Sequence, residues 1–167
     1  PVALWEELEA TFGNGAGEAL RYKQATKEFS RLFWRLGGPV EPRKVAGKFA
    51  FDLSVTCDSL TLEYHNKLEL CFHPRQGLVE VSNGLRTFAE WASLPGVFAA
   101  LDALSRLFNW GGSRGYFTSR EKIHTSRDMD VIAYKSKIEF RISPAVAEQL
   151  QVFMGLYDPK YQEKNAA

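Results

Sequence analysis

The sequence contains few of the residues on which disulfide-rich, zinc-binding and membrane-spanning proteins depend. It has two cysteines, three histidines and two methionines among 167 residues. No cysteine or histidine occurs at zinc-ligand spacing, and no stretch reaches the ~18 apolar residues of a membrane-spanning helix. Nucleophile-elbow and phosphate-loop motifs are also missing. These absences exclude the corresponding classes and favour a non-enzymatic protein without catalytic residues, cofactor, metal or membrane partner.

The two cysteines are predicted to be free thiols. If Val55 pairs with Leu62, and Leu62 with Leu70, then Cys57 and Cys71 lie two strands apart on opposite faces, beyond the Cα separation of ~7 Å that a disulfide tolerates.

The N-terminal segment PVALWEELEATF has neither the basic nor the apolar region of a secretory signal. A chain beginning at Pro1 is also what removal of an initiator methionine leaves. We therefore expect a cytoplasmic protein.

Charge of one sign is not in excess either, since 21 bases oppose 20 acids. The total therefore selects no partner. Apolar residues make up 45% of the chain and charged residues 25%, which is typical of globular proteins. At this length the chain is predicted to form a single domain over residues 1–167, with a frayed tail at 158–167.

Helical spacing dominates the N-terminal part of the chain. Leu4, Trp5, Leu8 and Phe12 predict a first helix, and an apolar stripe predicts a second from Glu18 to Leu36, ended by Gly37-Gly38-Pro39.

Residues 49–81 then alternate as strands do. Phe49–Cys57, Leu60–Tyr64 and Leu68–Phe72 predict an antiparallel meander, and Leu78–Val81 a fourth short strand.

The C-terminal half returns to helical spacing and then to alternation. A helix to Ala92 and another from Pro95 precede two strands, Met129–Tyr134 and Ser136–Ile142. A last helix begins with Ser143 as N-cap and Pro144 at its first position. The predicted fold class is therefore α+β: an antiparallel sheet, made of a meander of three to four strands plus a later strand pair, covered by helices in the order α-α-β-β-β-β-α-β-β-α.

The bases are unevenly distributed along the chain. Residues 21–48 contain eight bases against Glu28 and Glu41. Four of these bases recur every four residues on the second helix, away from its apolar stripe. Such a row of like charges favours an anionic partner, and we predict a nucleic-acid-binding surface that includes Lys23, Lys27, Arg31, Arg35, Arg43 and Lys44. The alternative is a solvated helix face neutralised by acids elsewhere, such as those of the first helix.

A second basic segment, residues 109–127, has aromatic and glycine residues among its cations. Aromatic rings that stack on bases and cations that contact phosphates are typical of single-strand binding. The predicted interface therefore also contains Trp110, Arg114, Tyr116, Phe117, Arg120 and Lys122. The alternative is a loop whose aromatic rings fold onto the core.

Other functions remain open. By the order of its elements alone the chain is similar to the small secretion chaperones, which implies a dimeric adaptor that binds proteins through Trp5, Leu8 and Phe12 or through the 95–109 helix. His124, Asp128 and Asp130 form a compact set that a metal-dependent nuclease could use. An apolar pocket between sheet and helix would bind a small ligand.

Overall fold

The computed structural model describes residues 17–35, 38–60, 67–108 and 115–166, with backbone alone at residues 35, 38, 59–60 and 163–166. The predicted first helix, Leu4–Phe12, lies outside these ranges. In order, the elements are α1 (17–29), β1 (Trp34–Arg35), β2 (Gly38–Pro39), β3 (Arg43–Val45), β4 (Lys48–Ser54), β5 (Cys57–Leu60), β6 (Lys67–Leu70), α2 (Phe72–Ala92), α3 (Pro95–Leu104), β7 (Glu121–His124), β8 (Met129–Ala133), β9 (Lys137–Ile142), α4 (Pro144–Tyr157) and α5 (Pro159–Ala166). The α+β class is confirmed.

The described strands form one five-stranded antiparallel sheet in the order β3-β4-β9-β8-β7 and two small hairpins, β1-β2 and β5-β6. The predicted meander is therefore wrong. Its first strand divides at residues 55–56; β4 pairs with β3 and β9, whereas β5 pairs with β6 through Cys57 and Leu70. Alternation marks a strand, but it does not specify the partner of that strand.

Both cysteines are free, as predicted, although the argument from register does not hold. The amide of Cys71 donates a hydrogen bond to the carbonyl of Thr56 at 3.1 Å. Cys71 therefore follows a strand adjacent to that of Cys57 and is not two strands away.

Helix α2 replaces the predicted strand Leu78–Val81. Pro74 is tolerated because it occupies the first turn, where amides have no helical partner. Gly77 and Gly84 lie in the helix interior, where they allow close contact with a neighbouring segment. Both glycines are therefore contact positions within the helix.

Two other boundaries also differ from the prediction. The second predicted helix ends at residue 29, and a 3₁₀ turn, Ser30–Leu32, leads directly into β1. The C-terminal segment, for which the sequence predicts fraying, contains α5.

The predicted break between α2 and α3 and the start of α4 are confirmed, whereas α3 ends at Leu104 and a 3₁₀ turn, Ser105–Leu107, follows it. Helix α2 ends at Ala92, followed by Ser93 in the left-handed region at φ 55°, and α3 begins at Pro95. The Ser143 side chain accepts a hydrogen bond from the Val146 amide at 3.2 Å, which caps α4. Within the described residues, no helix is long and apolar enough to cross a membrane.

The core lies between the helices and one face of the five-stranded sheet. This face contributes apolar side chains from its three central strands, which pack in one cluster with α1, α2, α3 and α4: Phe51, Leu53, Met129, Val131, Ala133, Ile138, Phe140 and Ile142. The residues that alternate with them belong to the opposite face, and none is part of this cluster. We call that opposite face the outer face.

Candidate nucleic-acid interface

The outer face carries charged side chains across the whole width of the sheet. In the register of the strands, Asp52 lies opposite Glu139, and Ile132 lies opposite both Glu139 and Lys122. Its charged members are Arg43, Lys48, Asp52, Lys122, Asp130, Lys137, Glu139 and Arg141. Five cations against three carboxylates give this surface a net charge of +2.

Arg43 lies at the centre of an ion-pair network on this face. Its guanidinium donates to both carboxylate oxygens of Asp52, at 2.8 and 3.0 Å, and to Glu139 Oε2 at 2.6 Å. The hydrogen bond with Asp52 raises the pKa of Arg43 above its usual range. Glu139 also accepts from Arg141 Nε at 2.5 Å, and Lys137 Nζ lies 3.7 Å from Glu139 Oε2. A single buried carboxylate thus holds three cations in place.

The carboxylates of the network lie beneath the cations. The Glu139 side chain is 5% exposed and that of Asp52 is 18% exposed, whereas the Arg43 and Lys137 side chains are 48% and 31% exposed. An anion that approaches from solvent therefore meets cations first. Lys122, on β7, is exposed as well and makes no ion pair with a described residue.

The acids near β8 are engaged by other groups. Asp130 Oδ1 accepts from Lys48 Nζ at 2.7 Å and from the Ser126 amide at 3.0 Å. The carboxylate of Asp128 lies against Gly96 at the start of α3, and His124 Nε2 is buried and has no hydrogen-bond partner among the described residues. Within the described part of the chain, no group of three or more histidines, cysteines and acids is arranged to hold a metal.

The row of basic residues predicted on the second helix is not continuous in the structure. Lys23 and Lys27 are exposed on α1, but Arg31 lies in the 3₁₀ turn and pairs with Glu80 at 2.7 Å. Arg35 lies on β1, and its side chain is outside the described set. Because α1 packs on the helical side of the sheet, Lys23 and Lys27 are on the side of the molecule opposite the outer face.

The second predicted segment also separates. Phe117 is buried in the core with 1% exposure, so the prediction that its ring stacks on a base is wrong. The carbonyl of Tyr116 accepts from Arg106 at 2.7 Å, and Arg120 is exposed at a turn with φ 68°. Trp110 and Arg114 lie outside the described residues.

Two of the predicted residues, Arg43 and Lys122, share the outer face, whereas Lys44 lies over the Phe49 ring at the edge of the sheet, with Nζ 5.5 Å from the ring centroid. Sequence reasoning missed Lys48, Lys137 and Arg141. The signal for Lys137 and Arg141 was the alternation of charged with apolar residues along β9, and Lys48 belongs to the same kind of alternation along β4; these residues form one surface only when β9 lies between β4 and β8.

The adaptor surface on the predicted 95–109 helix is engaged in the core. Val97, Ala100, Leu101 and Leu104 of α3 are all buried in the central cluster. The other adaptor surface, Trp5, Leu8 and Phe12, lies outside the described residues.

Comparison of the chain with protein-family models, curated proteins and solved structures finds no significant match.

Proposed function

We propose that the protein binds single-stranded nucleic acid through the outer face of its sheet. The main observation behind the proposal is that the cations of this face are exposed to solvent, whereas the carboxylates that pair with them are buried beneath. Arg43 on β3 and Lys122 on β7 lie at opposite edges of a five-stranded sheet, roughly 19 Å apart at ~4.8 Å per strand. One phosphate cannot contact cations spread over this distance, which favours a polymeric anion.

Each outer-face residue type has a defined role in this proposal. Arg43 and Arg141 are held by Glu139, so little side-chain entropy is lost when they contact a phosphate. Lys122 makes no ion pair with a described residue, and Lys137 Nζ lies 3.6 and 3.7 Å from its two carboxylates, farther than the guanidinium groups of Arg43 and Arg141. The two lysines therefore supply less rigid contacts to the nucleic-acid backbone. Tyr134 follows β8 with its ring 5.0 Å from Lys137 Nζ, and it offers a face on which a base can stack. Because the phosphate contacts dominate, binding is expected to weaken steeply with salt.

The test compares two charge-matched double variants in a salt titration against a labelled single strand and its duplex. Lys122→Gln with Lys137→Gln removes two cations from the outer face. Lys23→Gln with Lys27→Gln removes two cations from α1 and is the control. Each phosphate contact contributes about −0.7 to the slope of log K against log salt on single strands. The outer-face variant should therefore flatten the slope by about 1.4, and the control should leave it unchanged.

The possible outcomes separate the interfaces. If the wild type binds neither the single strand nor the duplex at about 50 mM salt, where contacts with the phosphate backbone are strong, the proposal is overturned. If the α1 variant flattens the slope and the outer-face variant does not, the interface is the helix stripe and the outer face is not the site. A melting temperature equal to that of the wild type shows, for each variant, that the change acts on binding and not on folding.

A further inference from the structure

A cavity lies on the helical side of the sheet, between β4, the β1-β2 hairpin and the C-terminal helices. The cavity has a volume of about 340 Å³. Aromatic and aliphatic side chains line most of it, among them Phe33, Trp34, Phe49, Ala147 and Leu150. Pro39, Pro42 and Gln151 are exposed at its rim, so the cavity opens to solvent.

The β1-β2 hairpin forms one wall of this cavity and is fixed in place. Trp34 lies opposite Pro39 in the hairpin, and its indole Nε1 donates to Asp158 Oδ2 at 3.3 Å. Asp158 is buried at the junction of α4 and α5. The wall is therefore tied to the helices across the cavity, which favours a preformed binding site over a transient gap.

Two polar groups in the cavity have no partner among the described residues. These are the hydroxyl of Tyr161 on α5 and, at the exposed rim, the side-chain amide of Gln151 on α4. At the rim, Lys44 is exposed, and its Nζ lies 5.5 Å from the ring centroid of Phe49, a lining residue. Lys44 makes no ion pair with a described residue. A complementary ligand therefore has an apolar body, atoms that can form hydrogen bonds with these two groups, and a negative charge at the mouth of the cavity.

We infer that this cavity binds a small amphipathic monocarboxylate, with its apolar body inside and its carboxylate at Lys44. The volume is equivalent to about eleven groups of water size, at ~30 Å³ each. This matches an aliphatic acid of about eight carbons. The site is separate from the outer face, so it stands or falls independently of nucleic-acid binding.

The test is a heteronuclear NMR titration of the full chain with octanoate, with 1-octanol and octyltrimethylammonium as comparison ligands. Octanoate should produce saturable shifts centred on Trp34, Leu150 and Tyr161. Ala147→Phe places a ring in the cavity and should abolish these shifts. Ala145→Phe, at an exposed position on the same helix that does not line the cavity, is the control and should bind as the wild type does.

The charge preference is tested separately. Lys44→Gln should weaken octanoate binding about two- to fivefold, as expected for an exposed ion pair, and should leave 1-octanol binding unchanged. Absence of saturable octanoate shifts in the wild type, or equal binding of octanoate and octyltrimethylammonium, would overturn the inference. A wild-type dimer that dissociates in Ala147→Phe during sedimentation would also overturn it, because the cavity would then be a subunit interface.

Discussion

Gly84 of α2 packs closely against α1, and replacing it with alanine tests that packing directly. A Cβ added at this position would lie 2.6 Å from the carbonyl oxygen of Ala25 and 2.9 Å from Glu28 Cβ. The backbone oxygen cannot rotate away, so one helix must shift. Overpacking of this kind costs about 1–3 kcal/mol.

Helix propensity opposes this cost, because alanine is more favourable than glycine inside a helix by ~1 kcal/mol. Contact with a backbone atom places the steric cost in the upper part of its range. Gly84→Ala should therefore lower the free energy of unfolding by about 1–2 kcal/mol. Gly155→Ala on α4 is the control, since its Cβ would meet Tyr161 Cε1 at an ordinary 3.5 Å. That variant should gain about 0.5–1 kcal/mol.

The assay is equilibrium urea denaturation of wild type and both variants, followed by circular dichroism. With a slope of ~1–3 kcal/mol per molar urea, the two variants should differ in midpoint by roughly 1 M. The midpoint should move down for Gly84→Ala and up for Gly155→Ala. Equal upward shifts for both variants would refute the reasoning, because α1 would then not approach α2 at Gly84.

Two further predictions concern titratable groups. Burial, followed by the charge of Glu80, raises the pKa of Glu28. The folded state then binds this proton more tightly than the unfolded chain, so the ionised carboxylate reduces stability once the pH rises through the folded pKa. In urea denaturation the Glu28→Gln variant should be more stable than the wild type at pH 7 and equally stable below about pH 4. A variant that is less stable than the wild type at pH 7 would contradict this prediction. Burial also raises the pKa of Cys57 to about 11. Iodoacetamide at pH 8 should therefore alkylate Cys57 on the order of a hundredfold more slowly in the native protein than in urea, as measured by peptide mass spectrometry, and equal rates would show that the thiol is accessible and ionised.

Local chemistry explains which parts of the fold the sequence could predict. The break between α2 and α3 follows from Pro95, and the start of α4 follows from the hydroxyl of Ser143, so both depend on neighbouring residues alone. The first half of α2 was missed because Pro74 and Gly77 look like turn residues. Their tolerance in a helix depends on a first-turn position and on the approach of Arg31, which are visible only in three dimensions.

Two residues of the candidate site could be predicted from the sequence, but the surface that they share could not. Charge and spacing singled out Arg43 and Lys122, which lie far apart in the chain. They share one face because β9 inserts between β4 and β8, and this pairing is not encoded in the alternation of any one strand. The basic residues predicted on one face of the second helix do not form a common surface. Helix α1 ends before Arg31, so the four-residue spacing no longer places Arg31 and Arg35 beside Lys23 and Lys27.

The pairing of β4 with β9 also constrains how the protein can fold. Phe49 pairs with Ile142, so the central contact of the sheet joins residues from opposite halves of the chain. Closing so long a loop costs entropy before any sheet contact offsets it, and folds of this kind form slowly. On the ribosome, α2 and α3 are complete well before β9 emerges, and until then β4 has only β3 to pair with. During synthesis β4 therefore lacks its β9 neighbour until residues 137–142 have been made, and an unpaired strand edge in that interval favours aggregation over folding.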